Sequence, residues 1–194
     1  MSEFQLYLTL GFEHISDVNA YDHIVFLIAL CASYPVERWR NILVLVTAFT
    51  IGHSVTLALA TLNIIPINAE VVEFLIPITI LITAISNFLT ANKVFSSVQM
   101  YRNYGIALFF GLIHGMGFSN FLRGLLGNEE SIFTPLLAFN IGLELGQLMI
   151  VAFIYITSYV AISVLGVKHR YWNYLLSGAA AIIAILLLTQ SSIW

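Results

Sequence analysis

The chain contains the segment GFEHISDVNAYDHIVFLIALCASY at residues 11–34. Residues 11–23 include two histidines, two aspartates and a glutamate, and residues 24–34 are almost wholly apolar. Charged groups are costly inside a bilayer, so this abrupt change needs a physical reason. We interpret the segment as a polar mouth at the start of a membrane-spanning helix.

The composition of the whole chain favours a membrane protein. Of its 194 residues, 60% are hydrophobic and only 9% are charged, whereas an average soluble domain is about 25% charged. A soluble fold of this length could not bury so much apolar surface, so the expected fold class is all-α, a polytopic helical membrane protein. A net charge of −3 gives no basic patch for nucleic acid, and a single cysteine excludes an internal disulfide.

Six segments are candidates for membrane-spanning helices, which need about 20 apolar residues each. They are residues 20–34, 41–62, 71–91, 104–126, 132–165 and 171–188. The first is short and the fifth is long enough to require a tilt. No linker interrupts them, so we expect residues 1–194 to form one integral membrane domain.

Lysine and arginine residues set the predicted orientation. Three alternate connections each hold a basic pair: Arg38 and Arg40, Lys93 and Arg102, Lys168 and Arg170. The other connections hold only Arg123, close to two glutamates. The positive-inside rule then places both termini outside the cytoplasm. Residues 11–23 would therefore lie on the outer side of a cell inner membrane.

Ionisable side chains in the spans are the candidate site residues. Asp22 and His23 open the first span, whereas His53, His114 and Glu144 lie deep in the second, fourth and fifth. At 1.5 Å per residue, those three lie about 14 to 18 Å below the outer ends of their spans. Charges inside a membrane usually face a bundle interior or a watery cavity. We therefore expect His53, His114 and Glu144 to share one cavity in the outer half.

Two glycine spacings predict that helices approach closely beside these residues. GLIHG at 111–115 and GLELG at 142–146 are small-xxx-small patterns, and each contains an ionisable side chain. Structural interpretations stay open: His53 can bond another helix, Glu144 can be a protonated structural group, and Asp22 can cap its helix. The combination favours a metal site, because imidazole with carboxylate suits Ni, Co or Zn.

Four segments together resemble the HupE/UreJ family of membrane proteins. They are GFEHISDVNAYDHIVFLIAL, TAFTIGHSVTLALATL, GLIHGMGFSNFL and LLAFNIGLELGQ. This family is linked with hydrogenase and urease operons and is regarded as one of nickel permeases. The resemblance implies that the family's histidine and Asp-His signature corresponds to His14, Asp22 and His23.

Three functions from different classes follow. The favoured hypothesis is a divalent metal permease, with nickel as the favoured cargo and Ni, Zn or Co as the candidate ions. Its metal ligands would be His14, Asp22, His23, His53, His114 and Glu144. A second hypothesis is an accessory subunit of a larger membrane protein complex, in which the polar residues form a structural network. A third is an intramembrane metal-dependent hydrolase with Glu144 or Asp22 as general base. Membrane lipid is an expected partner in all three.

Overall fold

The structure is a computed structural model that describes residues 2–19, 21–66, 68–91, 96–126 and 132–191. In those residues the secondary structure is helical, without a strand, as the composition predicts. The helices are α1 (Glu3–Ser16), α2 (Asp22–Ala32), α3 (Trp39–Thr61), α4 (Ala69–Thr90), α5 (Ser97–Gly117), α6 (Ser119–Leu126), α7 (Phe133–Tyr159) and α8 (His169–Gln190). A π-helical turn, Val160–Val164, extends α7.

Four described helices, α3, α4, α7 and α8, are long and apolar enough to cross a membrane. A fifth span results if α5 and α6, which are bent by 49° after Gly117, are counted together. The predicted span 104–126 is therefore two helices with a break, and its first helix already begins at Ser97. The chain is a multi-pass membrane protein, but these lengths do not by themselves give six spans.

The predicted first span, residues 20–34, differs most from the structure. It contains only α2, whose 11 residues cover about 16 Å, roughly half of a bilayer core. A separate helix that the sequence analysis did not predict, α1, precedes it. The Ser2 hydroxyl accepts the Gln5 N–H, and the Gln5 side chain accepts the Ser2 N–H at 3.0 Å, which together form a capping box.

The two short helices follow one another along α7. In α1, Gly11 lies against the backbone of Phe139, and Ile15 lies against Gly146 further along α7. Helix α2 packs in the apolar core that includes Ile154, still further along. The order of these contacts shows that α1 runs in the same direction as α7 and that α2 packs further along it. The connection between α1 and α2 therefore lies beside the middle of α7, and its described residues, 17–19 and 21, are exposed.

Close helix contacts at glycine hold the second pair of helices, α3 and α5. A Cβ on Gly111 would strike the carbonyl oxygen of Phe49, and one on Gly115 would strike that of His53. The glycine spacing 111–115 thus marks a close approach, as the sequence predicts. Its consequence is that His114 lies on the helix packed directly against the one that carries His53.

Candidate metal centre

Three histidines from three helices form the histidine cluster, which we define as His14, His23 and His53. His14 lies near the end of α1, His23 at the start of α2 and His53 within α3. One ligand atom from each lies within 4.8 Å of the others. Nitrogen ligands about 2.1 Å from a metal are at most about 4.2 Å apart, so small rotations of the rings would suffice to close a site.

Two neighbouring groups orient imidazoles at the cluster. The Nδ1 of His23 lies 3.1 Å from the Oδ1 of Asp22. In His114, whose ring centroid is 5.1 Å from that of His23, Nδ1 lies 2.9 Å from the carbonyl oxygen of Phe110. Carboxylate and carbonyl oxygens only accept hydrogen bonds, so each Nδ1 is the protonated nitrogen and each Nε2 keeps its lone pair. This is the arrangement that prepares a histidine to bind metal.

Five imidazole nitrogens at this position are buried and have no hydrogen-bond partner among the described residues. The Nε2 atoms of His14, His23 and His114 and both nitrogens of His53 have no hydrogen-bond partner among the described residues. His53 is fully buried and His23 is 4% exposed. A buried polar group without a partner is destabilising by about 1–3 kcal/mol, so packing alone is a poor explanation for several such groups in one place. Borderline divalent cations prefer nitrogen ligands of this kind.

Phenylalanine side chains form the wall of the cluster, which the sequence analysis missed. The ring of Phe118 is 4.1 Å from that of His14, and Phe139 stacks on His53 at 6.2 Å. Phe49 lies 5.2 Å from His114. One signal was present: Phe49 precedes His53 by one helical turn, so both lie on the same face. These rings give the cluster a mostly aromatic wall, and His14 also lines a cavity beside α1.

The structure does not bring Glu144 into the histidine cluster. Its Oε1 accepts a hydrogen bond of 2.8 Å from the hydroxyl of Thr47 on α3. One turn along, the hydroxyl of Thr50 donates to Gln147, also at 2.8 Å. The two polar residues of α7 and the two threonines of α3 both have a spacing of three, so they match across the helix contact. Among the three residues predicted to lie deep in the membrane, His53 and His114 both lie next to His23. Glu144 accepts its hydrogen bond from Thr47 instead.

A model of the HupE / UreJ protein family matches residues 1–194. The chain belongs to the HupE/UreJ family. Comparison with curated proteins found no match, and neither did comparison with solved structures. Membership in the HupE/UreJ family points to metal transport in a membrane, which agrees with the apolar helices and the histidine cluster. His14, Asp22 and His23, which the sequence resemblance assigns to the family's signature, lie together across the break between α1 and α2.

Proposed function

We propose that this chain is a divalent metal permease of the cell inner membrane, with nickel as the favoured cargo and cobalt as the next. The observation that carries the proposal is the histidine cluster, with unpaired nitrogens from three helices at one buried position. The donor set suits Ni and Co, because it offers imidazole and lacks thiolate. The single cysteine, Cys31, lies in the apolar core instead.

The position of the cluster supports transport rather than permanent storage. His53 lies eight residues before the end of α3, about 12 Å below that end. His14 and His23 belong to separate short helices on either side of a break. Transporters commonly bind their cargo at such interrupted helices, and release requires ligands that can separate. Movement of α1 relative to α2 would open the cluster without unfolding a continuous helix.

We propose in addition that α1 and α2 together form one interrupted span. With α3, α4, the bent pair α5–α6, α7 and α8, this gives six spans and places both termini outside the cytoplasm. Cysteine variants at Ser2 and Ser191 test this topology. A membrane-impermeant thiol reagent should label both from the outer side of intact cells. Labelling of either one from the cytoplasmic side alone would contradict the arrangement.

Purified protein in liposomes tests the function directly. We expect isothermal titration to show binding of Ni²⁺ and Co²⁺, and radioactive nickel to accumulate in the vesicles with time. Zinc held by three histidines with one open position is also the arrangement of hydrolytic zinc enzymes. Tight zinc binding without uptake would therefore favour the hydrolase. Absence of both binding and uptake would favour an accessory subunit.

A further inference from the structure

A cavity of about 340 Å³ opens between the α1–α2 break, the first half of α4 and the end of α8. Its polar lining includes Asn19, Asp22, Glu73 and Gln190, which come from three separate segments. None of the described residues that line it is a lysine or an arginine. The cavity is thus polar on several sides and carries two carboxylates that no basic side chain in its lining neutralises.

Asp22 connects this cavity with the histidine cluster. Asp22 lines the cavity, and its Oδ1 is 3.1 Å from the Nδ1 of His23. His23 is 4% exposed, and its other nitrogen, Nε2, is buried without a partner. A cation at Asp22 would therefore be one side chain away from an unpaired imidazole nitrogen.

Pro77 interrupts the helical hydrogen-bond pattern of α4 at Glu73. Proline has no N–H, so Pro77 cannot donate the helical hydrogen bond to the carbonyl of the residue four positions earlier, which is Glu73. Both residues line the cavity. Glu73 therefore brings a carboxylate to the lining, and its carbonyl lacks the usual helical donor four residues later. Such oxygens are good partners for the water shell of a divalent cation.

The volume fits a hydrated ion rather than a bare one. A water molecule occupies about 30 Å³ in the liquid, so a cation with six waters needs roughly 180 Å³. The cavity of about 340 Å³ holds that complex with room for exchange. The histidine cluster, walled by phenylalanines, has no comparable polar lining for these waters. A hydrated cation that moves from the cavity to the histidine cluster would therefore exchange its waters for protein ligands.

Another cavity, of about 500 Å³, lies on the α1–α6 side and is less suited to a cation. Its polar lining, which includes Glu13, Asp17 and the cluster residue His14, comes from α1 and the residues just after it, and Phe118 and Phe121 form the facing wall. The Oδ1 of Asp17 already accepts the backbone N–H of Asn19 at 2.8 Å. This cavity is polar on one side only.

We propose that the cavity between α4 and α8 is the outer entrance for a hydrated divalent cation. In this route Glu73 attracts the cation and Asp22 passes it to His23. The proposal rests on the permease function and adds the route and the residue that gathers the cargo. Carboxylates at the mouth of a channel raise the rate of cation capture, and salt weakens their effect.

Nickel uptake by Glu73→Gln and by its matched control Glu13→Gln tests the route. Both are exposed glutamates, so neither substitution should disturb folding. We expect Glu73→Gln to raise the half-saturating nickel concentration about three- to tenfold at low salt, and less at high salt. The maximal rate and the affinity measured by titration should stay close to wild type. Glu13→Gln should behave as wild type throughout.

Cysteine modification provides a second measurement. We expect Gln190→Cys to react with a membrane-impermeant trimethylammonium methanethiosulfonate, and uptake to fall at least about fivefold because a fixed cation repels the cargo. Val18→Cys, in the other cavity, should react without losing uptake. Native Cys31 is buried, so unmodified protein is the reagent control.

The outcomes separate the two proposals. Normal uptake in Glu73→Gln and in labelled Gln190→Cys would overturn the route while leaving the permease intact. Loss in Glu13→Gln and labelled Val18→Cys instead would assign the entrance to the α1–α6 side. Wild-type vesicles that take up no nickel would overturn the permease function and the route with it.

Discussion

Two sets of buried polar side chains lie near opposite ends of α2, and they differ in whether their polar atoms have hydrogen-bond partners. Near its end, Asn87 of α4 donates to the carbonyl of Ala29 at 2.7 Å and to the hydroxyl of Ser177 at 3.0 Å. Ser177 in turn donates to Asn173 at 2.8 Å. We call Asn87, Asn173 and Ser177 the amide network. At the start of α2, the Nε2 atoms of His14 and His23 and both nitrogens of His53 have no hydrogen-bond partner among the described residues.

The difference separates a structural role from a ligand role. In the amide network, each of the three side chains has partners that join α2, α4 and α8, as is usual for polar residues between membrane helices. In and beside the histidine cluster, five imidazole nitrogens are buried without partners among the described residues. The network stabilises helix packing by itself, whereas a bound ion would supply the partners that the cluster nitrogens lack.

The largest effect is expected for His53→Ala. Loss of one imidazole from the cluster should weaken nickel binding about 100-fold or more, because even changes in groups that only orient a ligand cost 10–100-fold. Isothermal titration measures it. The His53 side chain has no hydrogen bond to another described residue, so the affinity should change far more than the melting temperature. His169→Ala, at the start of α8, is the control and should retain affinity. Unchanged binding with clearly lower stability would make the cluster structural.

A smaller loss is expected for Asp22→Asn. The amide oxygen can still accept from the Nδ1 of His23, but the negative charge that raises the basicity of the imidazole is gone. We expect nickel affinity to fall about tenfold, within the range for groups that orient a metal ligand. Titration under the same conditions measures it. Wild-type affinity in this variant would show that the contact between Asp22 and His23 serves packing only.

The amide network should respond in the opposite way. Asn87→Ala removes two hydrogen bonds and should lower stability by about 1 kcal/mol, as measured for such bonds in membrane proteins. Thermal unfolding in detergent, without metal, detects this loss. Nickel affinity should stay within about twofold of wild type. A loss of affinity as large as that of His53→Ala would mean that the two regions do not act independently.

The smallest effect is expected for Glu144→Gln. The Thr47 hydroxyl can donate to the amide oxygen as it does to the carboxylate, so nickel affinity should stay within about twofold of wild type. Titration beside Asp22→Asn provides the comparison. A loss of more than about tenfold would make Glu144 a ligand, as the sequence pattern suggested.

The sequence predicted the long helices well because their signal is local. Spans 41–62, 71–91 and 171–188 agree with α3, α4 and α8 to within two residues at each end. Long apolar runs can only be helices in a membrane, since every backbone group must find its partner within the segment. The predicted span at residues 20–34 contains only the 11-residue α2, and the 14-residue α1 precedes it along α7. Neither is long enough to give the hydropathy signal of a span.

The amino-acid sequence alone indicates the membrane fold class and the set of candidate ligands, because a polar side chain in an apolar run stands out without any knowledge of its neighbours. Which of these candidates lie together depends on the tertiary structure. His14 joins His23 and His53, whereas Glu144, at a similar predicted depth, bonds to Thr47. Depth follows from counting residues along one helix. Contact depends on how the helices cross and rotate about their axes, which is set by packing such as that at Gly11 and Gly115, between segments far apart in the chain.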